Sequence, residues 1–265
     1  MEKPFDVERM IRNKFGGKVP GWVISFFRRL LHEDYMNAFL VQGVTGVDAA
    51  VGSLDYMGVT LHVEGLENIP TEGRYTVAST HPMGGHDAIG VLAIFGKHFG
   101  GNVKIPVNDL LMGVKALESV FLPVNKVGGQ SRALAESLDA VFRSDVQMLI
   151  FPAGACARKK KGKITELPWT KTFITKSVET HRDIIPVHFE GRNSWRFYFL
   201  DWIGRVTGIN KKFSLAMILL IDEMYRARGS SYTVKVGKPI PWQTFDRSKT
   251  ALEWAETLRE TTLNL

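Results

Sequence analysis

The stretch YTVASTHPMGGHDAIGVLAIFGKH, residues 75–98, carries the pattern from which the fold follows. Its first five residues, Tyr75–Ser79, are apolar or β-favouring and predict a buried strand. Pro82 and the pair Gly84 and Gly85 then oppose regular structure, and an apolar helical pattern follows. The stretch therefore predicts a strand, a tight loop and a helix in succession, which is the repeating unit of an α/β fold.

The same alternation continues on both sides of this stretch from residue 59 onward. Strands are predicted at residues 59–63, 75–79, 103–107, 120–124, 147–151, 184–189 and 232–236, and helices at 88–98, 109–117, 131–142, 170–180, 212–225 and 249–262. This order indicates an α/β fold with a mixed, largely parallel sheet flanked by helices. In such sheets, binding sites gather where strands end and loops enter helices.

The first part of the chain has a different pattern. Residues 1–55 read as an N-terminal amphipathic helical segment, with Trp22, Phe26 and Leu30 in one row at helical spacing. Two interpretations stay open, packing against the rest of the protein and contact with a membrane surface. Residues 56–265 form the predicted α/β domain. No stretch has the roughly 18 uncharged apolar residues of a membrane-spanning helix.

The charge and the cysteine content limit which binding partners and which cellular setting are expected. The 265 residues carry a formal charge of +7, and residues 143–182 hold nine Lys or Arg against three Asp or Glu. Such a basic stretch indicates an anionic partner. Nucleic acid is disfavoured because aromatic residues do not alternate with the basic ones. The single cysteine, Cys156, excludes an intramolecular disulfide and is compatible with a reducing, cytoplasmic setting.

The loop after the strand 75–79 contains the candidate catalytic residues. His81 and Asp87 are six positions apart, about 240° on a continuous helix, so only a turn brings them together. A neutral imidazole accepts a proton near pH 7, and a carboxylate on its other nitrogen fixes the tautomer. Gly84 and Gly85 would serve as turn residues or as oxyanion donors. The alternative is that Asp87 only caps the next helix.

A second loop follows the strand 147–151. It reads Phe151-Pro-Ala-Gly154 and continues into Arg158-Lys-Lys-Lys-Gly-Lys163. Gly154, Arg158, Lys159 and Lys160 are candidates for binding a phosphate-bearing substrate or carrier; a solvated surface loop is the alternative. The positive charge beside Cys156 is expected to lower the pKa of its thiol, which leaves a thiol nucleophile as a minor possibility.

These two loops resemble the glycerolipid and lysophospholipid acyltransferase superfamily. The resembling motifs are Thr80-His81…Asp87, Phe151-Pro-Ala-Gly154 and Ile185-Pro-Val187, and the stretch His188-Phe-Glu-Gly-Arg-Asn-Ser194 resembles the bacterial hemolysin-related, ornithine- or amino-acid-lipid branch. Three features depart from the family pattern: five residues separate the histidine and aspartate instead of four, Thr80 replaces Asn, and Ala153 replaces Glu.

The resemblance implies an acyltransferase of lipid metabolism, specifically phospholipid biosynthesis. His81, oriented by Asp87, would act as general base on a lyso-lipid or amino-acid-lipid acceptor. Acyl-CoA or acyl carrier protein would be the co-substrate, with no bound cofactor and no metal. Arg132 would correspond to the arginine of an acceptor motif. Arg192, which follows a strand, would contact ligand or form a structural ion pair.

The resemblance also implies a location and leaves other activities open. It implies a cytoplasmic enzyme, peripheral to the inner face of the membrane, with a membrane lipid surface as partner. Two alternatives remain. One is a thioesterase or ester hydrolase, although the sequence lacks the G-x-S-x-G nucleophile motif. The other is an inactive lipid- or carrier-binding protein, which Ala153 suggests.

Overall fold

The computed structural model describes residues 3–15, 19–107, 114–124, 132–208 and 215–265. The helices in these ranges are α1 (Val7–Phe15), α2 (Gly21–Leu30), α3 (Glu33–Leu40), α4 (Gly46–Tyr56), α5 (His86–His98), α6 (Arg132–Arg143), α7 (Thr172–Thr180), α8 (Trp195–Val206), α9 (Leu215–Arg226) and α10 (Ala251–Leu263). The strands are β1 (Thr60–Glu64), β2 (Tyr75–Ser79), β3 (Val103–Val107), β4 (Phe121–Pro123), β5 (Gln147–Ile150), β6 (Arg158–Lys160), β7 (Lys163–Thr165), β8 (Asp183–Phe189) and β9 (Ser231–Val236).

Seven strands form one sheet in the order β1-β9-β8-β2-β5-β3-β4. The strands from β8 to β4 in this order are parallel, whereas β9 runs antiparallel to β8 and parallel to β1. The predicted mixed, largely parallel sheet is therefore confirmed. Each of its strands lies within one residue of its predicted bounds.

The central strand β2 shows why the sheet needs helices on both faces. Its residues 76–79 are all buried. Val77 packs into a cluster with α4 and α5, whereas Ala78 packs into another cluster with α7 and α10. Successive side chains of a strand point to opposite faces, so both faces of β2 lie in apolar cores. The absence of charged residues from its sequence, Tyr-Thr-Val-Ala-Ser, agrees with this burial.

The helices differ from the predictions in two places. For the predicted helix at 109–117, residues 108–113 lie outside the described range, and Lys115–Val120 form a 3-10 helix. Helix α8 was not predicted, because its sequence WRFYFLDWIGRV has aromatic residues on both its buried and its exposed faces. Helical periodicity is read from an apolar stripe opposite a polar one, and α8 does not provide that contrast.

The N-terminal helices pack on the α/β core through α9. Val7, Ile11 and Leu31 form a buried cluster that Ile221 of α9 joins. Nε2 of His32 lies 2.8 Å from Oδ1 of Asp222 on the same helix. The outer face of α2 remains exposed, with Trp22 and Phe26 76% and 58% accessible. Within the described residues, no helix is both long and apolar enough to cross a bilayer.

A single arginine joins three elements at the edge of the sheet opposite the loop of residues 80–85. The fully buried side chain of Arg182 donates to the carbonyl oxygens of Phe142 (2.7 Å), Val146 (2.8 Å) and Tyr75 (3.1 Å). Burial lowers the pKa of Arg182 to about 10, so the group stays charged at neutral pH. The guanidinium thus donates hydrogen bonds to the carbonyl oxygens at the end of α6 and just before β5.

We predict that Arg182→Met destabilises the fold by about 3 kcal/mol, because it leaves several buried carbonyl oxygens without a donor. Chemical denaturation monitored by circular dichroism measures the free energy of unfolding. The matched control is Arg143→Met, whose guanidinium is 61% exposed and pairs with Asp139 on the surface. The control is expected to change the free energy of unfolding far less, because its ion pair is exposed to solvent, and equal losses in the two variants would contradict the role given to Arg182.

Candidate active site

The loop 80–85 leaves the carboxyl end of β2, between β8 and β5. Its first residue, Thr80, is buried and tied to β8 on both its backbone and its side chain. The Thr80 amide donates to the carbonyl of Val187 at 3.0 Å, and Oγ1 accepts the amide of Phe189 at 2.9 Å. The threonine therefore fixes the point at which the chain leaves the sheet.

The structure brings His81 and Asp87 together. Nδ1 of His81 lies 3.1 Å from Oδ2 of Asp87; the aspartate is fully buried and the histidine side chain is 15% exposed. Oδ2 also accepts the amides of Met83 at 2.8 Å and Gly84 at 3.0 Å. A closed turn therefore wraps around the carboxylate, and the second ring nitrogen of His81, Nε2, is left for proton transfer.

The charge of Asp87 follows from these contacts. Burial alone opposes ionisation of its carboxyl group. The positive charge that His81 can carry and the hydrogen bonds from His81, Gly84 and Met83 outweigh burial, so the pKa of Asp87 lies below its ordinary value. Asp87 is therefore a carboxylate at neutral pH. A buried carboxylate beside Nδ1 holds a proton on that nitrogen and stabilises the imidazolium form.

The two glycines allow the loop to close. Gly84 has φ +82°, and a Cβ there would lie 3.0 Å from Leu220 and 3.1 Å from Cys156. At Gly85 a Cβ would lie 2.5 Å from Met224. The Gly84 amide already donates to Asp87, which fits the turn role predicted for it. The oxyanion role stays a prediction.

The second loop packs directly on the first. The ring centroid of Phe151 lies 4.3 Å from that of His81, and the amide of Ala157 donates to the carbonyl of His81 at 2.9 Å. Gly154, with φ +67°, makes the turn between them, and its amide donates to the carbonyl of Phe151. The Pro-Ala-Gly loop therefore helps to hold His81 in place.

The cations predicted to bind a carrier lie in different surroundings. Nε of Arg158 is 3.2 Å from Oδ1 of Asp201 on α8, and another of its nitrogens donates to the carbonyl of Cys156 at 2.8 Å. Arg158 is thus held by contacts within the protein, and its binding of a substrate or carrier stays a prediction. Lys159 and Lys160 are exposed on β6.

Two other arginines were predicted to bind substrate or carrier. Arg192 is exposed in the connection between β8 and α8. Arg132 begins α6, but its side chain lies outside the described residues. Substrate or carrier binding by Lys159, Lys160, Arg192 and Arg132 therefore stays a prediction.

The expectation for Cys156 was wrong. Burial raises the pKa of its thiol to about 11, and the nearby guanidinium of Arg158 only partly offsets this effect. The sequence showed the adjacent cation but not that the sulfur lies inside a cluster with Phe197 and Leu219. A thiol with this pKa is a poor nucleophile at neutral pH.

One further polar side chain near the loop is buried. His86 is fully buried, with Nδ1 3.3 Å from the hydroxyl of Tyr232, and burial lowers its pKa to about 4. Thus His86 is neutral at pH 7.

In the parts of the chain that the structure describes, no three His, Cys, Asp or Glu side chains lie close enough to hold a metal ion.

Sequence reasoning missed Glu166. Its carboxylate accepts the backbone amide of His81 at 3.1 Å and the indole N–H of Trp169 at 3.2 Å. Burial raises the pKa of this carboxyl group. Ala153 packs against the cluster that contains Trp169. The one signal in the sequence was a lone acidic residue after five cations, and nothing local indicated that it folds back beneath His81.

An apolar cavity of about 200 Å³ begins at the loop 80–85. Gly84, Gly85 and Ala88 line one part of it, and side chains from α3, α4, α5, β3 and α9 line much of the rest, among them Leu92 and Met224. Polar surface is nearly absent from its walls. Such a cavity suits a hydrocarbon chain whose reactive end lies at the loop.

Comparisons with known proteins identify relatives of this chain. The sequence profile of a family described as "Acyltransferase" matches residues 11–265. The chain is 43% identical over 265 residues to a "Lyso-glycine lipid O-acyltransferase" of Phocaeicola vulgatus, covering 98% of this chain and 94% of that protein. It is also 43% identical over 260 residues to a protein of the same name from Bacteroides thetaiotaomicron, with 96% and 95% covered.

A solved structure shares the fold. The crystal structure of the 1-acyl-sn-glycerophosphate (LPA) acyltransferase PlsC from Thermotoga maritima superposes with a TM-score of 0.50. The match covers 97% of this chain and 85% of that one, at 16% sequence identity. At this identity the likeness concerns the fold alone, and it agrees with the α/β architecture described above.

Proposed function

This chain belongs to the acyltransferase family and is an acyltransferase, and from this premise we propose that it transfers a fatty acyl group from a thioester carrier to the hydroxyl group of a lyso-lipid. The observation that carries the proposal is the His81–Asp87 pair beside an apolar cavity that Gly84, Gly85 and Ala88 of the same segment line. The pair supplies a base, and the cavity supplies a place for the acyl chain. Transfer of a fatty acyl group to a lipid needs both the base and the place for the acyl chain.

The orientation of the His81 ring relative to Asp87 determines which ring nitrogen transfers the proton. Because Nδ1 faces the carboxylate, Nε2 carries the lone pair and takes the proton of the acceptor hydroxyl. The hydroxyl oxygen attacks the thioester carbonyl and gives a tetrahedral intermediate. When that intermediate collapses, the C–S bond breaks and the leaving thiolate takes the proton back from Nε2. The products are an ester and a free thiol, and no covalent enzyme intermediate is needed.

The acyl chain is proposed to occupy the apolar cavity. Each buried methylene group contributes about 0.8 kcal/mol of binding, and nearly the whole wall is apolar. Gly84 and Gly85 lie in this wall, so the thioester carbonyl would sit beside the turn that holds Asp87. Ile221 of α9 also lines the cavity.

The names of the two bacterial relatives guide the choice of acceptor. Both are O-acyltransferases of a lyso-glycine lipid, which favours a hydroxyl over an amine. We therefore propose a lyso-lipid with a glycine-derived head group as acceptor. The donor is proposed to be a fatty acyl thioester of coenzyme A or of acyl carrier protein. The phosphate groups of either carrier would meet the exposed Lys159 and Lys160.

The proposal predicts that His81→Ala lowers kcat by about 10²- to 10⁴-fold, because no general base remains. Asp87→Asn is expected to lower kcat by at least about 10²-fold, since the carbonyl or amide group of Asn holds the wrong tautomer as readily as the right one. Mass spectrometry of the acylated product, with lyso-glycine lipid and an acyl thioester as substrates, measures turnover.

The matched control for this experiment is His62→Ala on β1, which removes an exposed imidazole and is expected to keep wild-type turnover. Wild-type turnover in His81→Ala would refute the mechanism. If the wild-type protein released free fatty acid without any acylated lipid, the activity would be hydrolysis instead.

A second variant pair tests the positioning of His81 by Glu166. Glu166→Ala removes the acceptor of two N–H groups, so we expect kcat to fall by roughly tenfold to a hundredfold. Glu166→Gln keeps an acceptor oxygen and is expected to restore most of that loss, with little change in KM. A uniform loss in both variants would show that the negative charge matters rather than the hydrogen bonds. Unchanged kcat in Glu166→Ala would exclude the positioning role.

A further inference from the structure

Helix α8 presents an uncovered aromatic stripe. Trp195, Phe199, Trp202 and Val206 are 75%, 48%, 52% and 67% exposed. At about 100° per residue these four positions fall within roughly 60° of one another, along about 16 Å of the helix axis. The rings of Trp195 and Phe199 lie 6.1 Å apart, and those of Phe199 and Trp202 lie 6.0 Å apart. Scattered exposed apolar residues are ordinary, but a continuous patch marks an interaction site.

The stripe borders a basic hairpin. Strands β6 and β7 pair antiparallel around a turn at residues 161 and 162, and residues 159–165 are exposed. Asp201 and Arg205 of α8 clamp this hairpin. Asp201 pairs with Arg158, and Arg205 donates to the carbonyl of Lys159 at 3.2 Å. Of the nine cations counted between residues 143 and 182, the four lysines 159, 160, 161 and 163 lie together on this hairpin.

The same helix is attached to the catalytic loop. Nδ2 of Asn193, directly before α8, donates to the carbonyl of Met83 at 2.9 Å. The next residue, Ser194, caps α8 and bonds to Glu223 of α9 through its amide (2.7 Å) and its hydroxyl (2.8 Å). The aromatic stripe and the hairpin therefore hold a fixed position relative to His81.

We propose that the α8 stripe and the β6–β7 hairpin together form a docking surface for a bilayer that carries anionic lipid head groups. Indole and phenyl rings favour the boundary between head groups and acyl chains, and lysines beside them meet the negative surface charge. This inference rests on the proposed function in one respect: a lyso-lipid acceptor lies in a bilayer, so the enzyme must reach that surface with its catalytic loop.

A folded acidic carrier protein would use the lysines but not the stripe. Recognition of a carrier protein needs only the basic hairpin. The four neighbouring exposed apolar side chains, two of them indoles, instead match a bilayer, which has an apolar interior and a polar head-group layer. Charge alone would also be screened at high ionic strength, while the aromatic contribution would remain. These two components can be separated by mutation.

The test is flotation of the purified full-length protein with substrate-free phosphatidylcholine vesicles, with and without phosphatidylglycerol. The wild type is expected to bind the vesicles that contain phosphatidylglycerol. Trp195→Ser with Trp202→Ser should lower the partition coefficient by roughly tenfold or more, and the loss should persist at high salt. Lys161→Glu with Lys163→Glu should lower it by about 25-fold or more at low salt, with the difference shrinking as salt rises.

Two controls match these changes elsewhere on the surface. Lys97→Glu with Lys238→Glu makes the same change in net charge at exposed positions, and Leu252→Ser removes an exposed apolar side chain. Both should bind as the wild type does. Turnover on detergent-dispersed substrate should be unchanged in the Trp195/Trp202 variant, which separates docking from catalysis.

The proposal is overturned if the wild type does not float with phosphatidylglycerol vesicles, or if the Trp195/Trp202 variant floats equally well. It is also overturned if these variants lose binding to acyl carrier protein while vesicle binding is unaffected. Because the vesicles contain no substrate, none of these results depends on whether the chain acylates a lyso-lipid.

Discussion

The site depends on one buried carboxylate. Asp87 has no exposed surface, yet its surroundings favour its ionised form, because Nδ1 of His81 and the amides of Met83 and Gly84 all converge on one oxygen. A charge removed from water is costly unless it is paired and hydrogen-bonded. This charge is held by the geometry of the turn, by the two glycines that permit the turn, and by the orientation of the imidazole.

The sheet supplies the frame for that turn. The loop after β2 and the loop after β5 leave neighbouring parallel strands at the same edge of the sheet. The two loops therefore meet although they are far apart in the sequence. Thr80 fixes the first loop to β8, and Ala157 and Phe151 of the second loop hold the backbone and ring of His81. Glu166 then closes the arrangement from a third segment of the chain. The imidazole is therefore positioned by contacts from four parts of the fold.

The sequence predicted what periodicity and local spacing determine. The seven strands of the main sheet were found because each is a short apolar run bounded by turn residues, and the His81–Asp87 pair because glycines separate them. What it missed depends on tertiary burial. Cys156 was judged by its charged neighbour, whereas α8 packs over it and buries the sulfur. The contact of Glu166 with His81 could not be predicted locally, since the two residues lie 85 positions apart in the sequence.

The tautomer of His81 tests the central claim most directly. Nitrogen-15 NMR of the protein with labelled histidine distinguishes a protonated from an unprotonated ring nitrogen at neutral pH, with His81→Gln used to assign the signal. The account predicts that the neutral ring carries its proton on Nδ1, with Nε2 unprotonated, and that Asp87→Asn shifts population toward the other tautomer. A proton found on Nε2 in the wild type, or a tautomer ratio unchanged by Asp87→Asn, would contradict it.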